Sequence, residues 1–188
     1  MEDEELVQKF QSGNLEAFDL LYERYKNQAI RAIYLITNSC YDCEDIMQEA
    51  FVKCYLHIGE LKDPAQFKSW FFQILYRSAW QYLKKKSKET PTQEIAEYIK
   101  DVKRISSLDE VLKKETKSWI RQEIEKLDVK HRSVVVLYYY NELSIAEIAK
   151  IMGCFEGTVK SRLATARKKL RVSFKGEELG SVVYLRRV

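Results

Sequence analysis

With 188 residues, 46% apolar and 12% aromatic, the chain has enough hydrophobic surface for one or two folded domains, and six glycines and two prolines are too few for a wholly disordered polypeptide. Two histidines far apart, His57 and His131, with no glycine-rich phosphate loop and no nucleophile motif, leave no catalytic constellation, so neither an enzyme nor a cofactor is expected. The formal net charge is only +4, but it alternates by block: residues 1–60 hold five basic and twelve acidic side chains, 61–88 seven and one, 89–128 eight and ten, and 129–175 ten and three. Two basic blocks around a mildly acidic stretch suit two contacts with one polyanion, and the acidic amino-terminal block suits a basic partner. No run of eighteen apolar residues occurs, and the start Met1-Glu2-Asp3-Glu4-Glu5 is the reverse of a signal peptide's basic opening, which predicts a cytoplasmic protein.

Apolar residues recur at helical rather than strand spacing, which predicts an all-α protein. Ser12-Gly13-Asn14 reads as a turn and cap, followed by a helix marked by Ala17, Phe18, Leu21, Tyr22 and Tyr25 and continued by Ile30, Ile33 and Tyr34. Another starts near Asp42 with Ile46, Met47, Ala50, Phe51 and Cys54 inward, which turns Glu44, Asp45, Gln48 and Glu49 outward as an acidic strip. Cys40 and Cys43 have C-x-x-C spacing, but a zinc site wants a second pair and a redox motif wants a βαβ context. With Cys54 and Cys154 they read as reduced, packed thiols, and no metal is expected.

Asp63-Pro64 is an N-cap followed by proline at the first helical position, and it opens a long helix. Phe67, Trp70, Phe71, Ile74, Leu75, Ser78 and Tyr82 form its inner side; Arg77, Trp80, Gln81, Lys84, Lys85, Lys86 and Lys88 occupy the rest. Aromatics interleaved with cations suit single-stranded nucleic acid, because bases stack on rings and phosphates attract Lys and Arg, although aromatics at this spacing also build cores. Glu89-Thr90-Pro91-Thr92-Gln93 lacks apolar period and marks a domain boundary, with a short helix possible over residues 94–106. From Ser107 the pattern resumes at Leu108, Val111, Leu112, Trp119, Ile120, Ile124 and Leu127, then at Val134, Val135, Leu137 and Tyr138.

Ser144 to Leu170 reads as two helices around a turn. Ser144 and Glu147 form a capping box, Ile145, Ile148, Ala149 and Met152 face inward, Gly153 can stop the helix, and a new period runs through Val159, Leu163, Ala166 and Leu170. A step of about 100° per residue then turns Ser161, Ala164, Thr165 and Lys168 outward, flanked by Thr158, Lys160, Arg162, Arg167 and Lys169. Such a surface, short in the middle and cationic around it, can enter a major groove.

Taken together, Asp42-Cys43-Glu44-Asp45-Ile46-Met47-Gln48-Glu49-Ala50-Phe51, Phe67-Lys68-Ser69-Trp70-Phe71, Leu143-Ser144-Ile145-Ala146-Glu147-Ile148-Ala149 and Gly157-Thr158-Val159-Lys160-Ser161-Arg162-Leu163 resemble the sigma-70 family, specifically its extracytoplasmic-function sigma factors, from about residue 10 to 172. The resemblance implies two helical domains joined by a linker: a region 2-like domain over residues 1–88, a linker over 89–112, a four-helix region 4-like helix-turn-helix domain over 113–175, and a tail over 176–188. It implies core RNA polymerase and promoter DNA as partners, with a membrane-bound anti-sigma factor as a controlling one. Glu44, Asp45, Gln48 and Glu49 would dock on the polymerase. Trp70, Arg77, Trp80, Gln81, Lys84, Lys85 and Lys86 would read and melt the minus-ten element. Thr158, Lys160, Ser161, Arg162, Ala164, Thr165 and Lys168 would read the minus-thirty-five element.

Overall fold

The computed structural model describes residues 1–39, 42–89 and 118–173, and within them the chain is helical with no strand. The first helix, α1 (Asp3–Gln11), was not among the sequence expectations, because its opening is a run of acids. Leu6, Val7 and Phe10 nevertheless form a buried stripe, and Asp3 accepts hydrogen bonds from Arg24 and Tyr25 of the next helix. Burial first, and then the Asp3 carboxylate, push the Tyr25 phenol far above its ordinary pKa. The turn is the one expected: Gly13 takes a positive φ of 98°, which a residue with a Cβ resists, and the Asn14 side chain accepts the Ala17 amide to cap α2 (Leu15–Thr37).

Helix α3 (Cys43–His57) buries Ile46, Met47, Ala50, Phe51 and Cys54, as its period predicts. Asp63 accepts the Ala65 amide, and Pro64 begins a single 3-10 turn (Pro64–Gln66) that runs straight into α4 (Phe67–Glu89). Around this frame Phe10, Phe18, Phe51, Phe67, Phe71 and Tyr25 form a chain of edge and tilted ring contacts 4.7 to 6.3 Å apart, geometries that favour aromatic pairs.

Among the described residues the carboxyl-terminal part holds four helices: α5 (Ser118–Glu125), α6 (Val129–Val135), α7 (Ile145–Met152) and α8 (Glu156–Ser173). A π turn, Val136–Tyr140, prolongs α6. Both halves of the Ser144–Glu147 capping box form, and Gly153 ends α7 in the left-handed conformation at φ 61°. Helix α8 packs on α6 and α7 through Val159, Leu163, Ala166 and Leu170.

The two parts share one core. Val134, Val136, Leu137, Leu143, Ile148, Ala149 and Ile151 belong to the same buried cluster as Phe67, Phe71, Phe72, Leu75 and Tyr76, while Ile124, Leu127, Val135, Ala166 and Leu170 form a smaller separate one. Helix α4 packs on α7, and α2 on α6. Arg132, only 5% exposed, crosses this junction: its Nε and Nη2 donate to the Ile36 carbonyl at 3.2 and 2.8 Å, and Nη1 donates to the Glu125 and Leu127 carbonyls at 3.0 and 3.4 Å. Ile36 lies in the last turn of α2, where carbonyls lack helical partners and a cation is favoured, so an arginine from one module caps a helix of the other. Gln28 Nε2 donates to the Tyr140 carbonyl at 3.1 Å and Tyr34 Oη to Glu125 at 3.2 Å, adding polar ties beside the apolar contact.

The expected linker and short helix over 94–106, the resumed pattern at Leu108, Val111 and Leu112, the tail over 176–188, and Cys40 all lie outside the described residues.

Candidate nucleic-acid interface

Three surfaces carry the residues that the sequence singles out. On α8, the buried stripe points Lys160, Ser161, Ala164 and Lys168 to solvent, with Thr158, Arg162 and Thr165 half-buried beside them. Arg162 leans toward the domain junction, where Nη1 reaches Cys154 Sγ at 3.8 Å and its charge acts on the Tyr76 phenol of α4. On the opposite flank Arg167 donates to Tyr139 Oη at 2.7 Å and lies 5.8 and 5.7 Å from the Tyr138 and Tyr139 ring centres, while Lys169 reaches Asp128 at 3.3 Å. Both flanking cations are thereby anchored to the helices beneath, and Lys160 and Lys168 remain as the outward pair around a short-chained centre.

The amino-terminal turn of α8 contains two residues that the fold itself does not call for. Phe155 stands at the N-cap, its carbonyl accepting the Thr158 and Val159 amides at 2.9 and 3.2 Å, yet its side chain is 86% exposed and offers no acceptor to the free amides. Replacing a capping side chain by one that cannot accept costs a helix about 1 kcal/mol. Gly157 follows, with nothing within 4 Å of the position its Cβ would take and no left-handed φ to require it.

On α4, Arg77, Gln81, Lys84, Lys85 and Lys86 are exposed, the first three at the three- and four-residue steps that align them along one side. Of the two tryptophans, Trp80 differs from the outer position expected of it, whereas Trp70 lies on the inner side as its spacing predicts. Trp70 is half-buried beside Phe67, 6.2 Å between ring centres; Trp80 is half-buried and stacked on Tyr76 at 6.0 Å and 23°. The helix carries a second buried side, Phe72, Tyr76 and Ala79: the Phe72 ring lies 6.3 Å from that of Tyr25 and 5.6 Å from that of Phe71 in its own module, while Tyr76 meets Arg162 and Ser133 of the helix-turn-helix module. Burial pushes the Tyr76 phenol up in pKa, with Arg162 and Ser133 of the other module acting against it. Tyr82 donates to Asp42, and burial together with that carboxylate lifts its phenol to about 12.

On α3, Glu44, Asp45, Gln48 and Glu49 are all exposed, with Glu49 paired to Lys53 at 2.5 Å. The strip continues into apolar surface that the sequence reading passed over: Val52 is 57% and Leu56 68% exposed, at successive four-residue steps from Gln48. Their signal was legible as two apolar residues off the helix's buried stripe. Cys43 is buried with Sγ directed at the Ser39 carbonyl at 2.8 Å, and burial lifts the Cys54 thiol to about 12, so both behave as packed apolar groups.

A helix-turn-helix packed on an aromatic helical module is the class of architecture that these helices define. Residues 21–89 match Sigma-70 region 2 and residues 117–170 match Sigma-70, region 4. The chain is 31% identical to the ECF RNA polymerase sigma-E factor of Escherichia coli (strain K12) over 176 residues, covering 89% of this chain and 92% of that one. It is 30% identical to the ECF RNA polymerase sigma factor SigW of Bacillus subtilis (strain 168), covering 88% and 92%. Among solved structures it superposes on CnrH, solved in complex with the cytosolic domain of CnrY, with a TM-score of 0.67 at 22% identity over 94% of this chain and 99% of that one. It superposes on the sigma factor RpoE of Bartonella quintana, solved with the anti-sigma factor NepR, with a TM-score of 0.63 at 19% identity over 85% and 99%. The chain belongs to the ECF RNA polymerase sigma factors of the sigma-70 family. It is a transcription initiation factor and not an enzyme. Among the described residues no helix is long and apolar enough to cross a membrane.

Proposed function

We propose that α3 docks on core RNA polymerase through Glu44, Asp45, Gln48 and Glu49, with Val52 and Leu56 extending the contact; that α4 reads the minus-ten element with Trp70, Arg77, Trp80, Gln81, Lys84, Lys85 and Lys86; and that α8 reads the minus-thirty-five element with Thr158, Lys160, Ser161, Arg162, Ala164, Thr165 and Lys168. The observation that carries this reading is the separation of charge: an exposed acidic strip on α3 against exposed cations on α4 and α8. Basic faces suit phosphate, whereas an acidic face repels DNA and suits a protein.

Strand opening needs no covalent step from this chain. Unstacked bases gain ring contacts worth roughly 1–3 kcal/mol each, which offsets the cost of melting. Tethering both modules to one polymerase raises the effective concentration of the second contact once the first has formed. Because Tyr76 lies against the helix-turn-helix module and Trp80 is stacked on it, bases gain full access to this pair after α4 and α7 part.

The proposed domain limits remain 1–88, 89–112 for the linker and 113–175, with the protein acting in the cytoplasm. RpoE of Bartonella quintana, a fold neighbour, was solved with an anti-sigma factor, and we extend that kind of control to this chain through a membrane-bound anti-sigma factor. The test of the polymerase surface is the double variant Asp45→Lys, Glu49→Lys. It is expected to lose core polymerase in a pull-down, and with it run-off transcription, while its circular dichroism stays that of the parent. Retained binding would reduce the strip to solvated surface.

A further inference from the structure

We propose that Phe155 is a base-reading residue, its ring resting against a thymine methyl at the edge of the upstream promoter element. The proposal rests on the reading of α8 as the minus-thirty-five helix. Phe155 makes no use of its side chain within the fold: it is 86% exposed and cannot cap. Gly157, two residues on, fills a helical position where nothing lies within 4 Å of the place a Cβ would take. An unpacked aromatic beside an unneeded glycine destabilises the first turn of α8, and both features make sense where a duplex lies close to that turn.

Position and chemistry agree. The amino-terminal residues of a recognition helix are those that meet base edges. Steps of three and four residues align Phe155 with Thr158 and Arg162, along the flank of the exposed Lys160 and Ser161. The centre of the face is short, Ser161, Ala164 and Thr165, so the helix can sit deep and bring its first turn to the bases. A ring carries no hydrogen-bonding group, so among base edges in the major groove its partner is the apolar one, the thymine C5 methyl.

The experiment uses the full chain with core polymerase and an upstream duplex selected by that holoenzyme, in which each thymine is replaced singly by deoxyuridine. For the parent chain one such replacement is expected to weaken binding about fourfold, the effect of one buried methyl. For Phe155→Ala the same replacement is expected to have no effect, and binding to the unmodified duplex to be weaker than the parent's. Phe155→Ser, which restores a capping side chain, is expected to melt no lower than the parent and to show the same insensitivity. If no deoxyuridine position distinguishes the parent from Phe155→Ala, or if Phe155→Ala weakens all templates alike, the proposal is overturned and Phe155 contacts protein or nothing. Failure of the underlying reading is separable, because then Lys168→Ala would also leave the salt dependence of duplex binding unchanged.

Discussion

Helices α4 and α8 are the two long basic helices among the described residues, yet they present themselves differently. Helix α8 buries a single stripe, Val159, Leu163, Ala166 and Leu170, and leaves its opposite face open. Helix α4 buries two: Phe67, Phe71 and Leu75 on one side, and Phe72, Tyr76 and Ala79 on another, with Phe72 beside Tyr25 and Tyr76 beside Arg162 and Ser133 of the helix-turn-helix module. What remains open on α4 is a narrow line of polar and cationic groups, Arg77, Gln81, Lys84, Lys85 and Lys86, with Trp80 stacked at its edge. An aromatic-rich helix is thus accounted for twice over by packing before any base is considered, whereas the α8 face has no packing role.

Substitutions on α4 should have the strongest consequences. Phe72→Ala should cost about 3–5 kcal/mol, since it empties a fully buried site packed against Tyr25 and Phe71, while Arg77→Ala should stay within about 0.5 kcal/mol. Urea unfolding measures both, and equal effects would mean that the second buried side does not exist in solution. On α8, Lys168→Ala should leave stability unchanged within about 0.5 kcal/mol and reduce the slope of log binding constant against log salt by about one unit. A titration of duplex binding between two salt concentrations checks it.

The smallest expected effect concerns Asp128, which caps α6 through the His131 amide and meets His131 Nδ1 at 2.5 Å and Lys169 of α8 at 3.3 Å. Partial burial alone would raise its carboxyl, but the bonds from His131 and Lys169 outweigh it and hold the group at about 2, below its ordinary 3.8. A carboxyl depressed by folding stabilises above its unfolded pKa, and that contribution disappears as pH falls from about 4 to about 2. Being half exposed, the group is worth below about 1 kcal/mol. Asp128→Asn should flatten the stability profile within that interval and leave the slope near neutrality alone, as acid titration of the circular dichroism signal would report.

Much of this was legible in the residues. The capping box at Ser144, the left-handed Gly153, the buried stripe of α8 and the acidic face of α3 follow from short-range rules, because helix caps and amphipathic periods are written within a few residues of one another. Helix α1 was missed because its acidic start masked a short apolar stripe, and Val52 and Leu56 because an exposed Leu is unremarkable until its neighbours on the face are known.

Spacing and composition alone specify the helices other than α1, the caps at Asn14 and Ser144, the sign of the α3 and α8 faces and the family, since each of these is a local or compositional property. The packed fold was needed to establish that Arg132 of one module caps α2 of the other, that Tyr76 is buried with Trp80 stacked on it, and that Phe155 is exposed. A helix with apolar residues on two sides states that it will be covered twice but not by what; the partner comes from a segment more than sixty residues away, and no local spacing encodes that meeting.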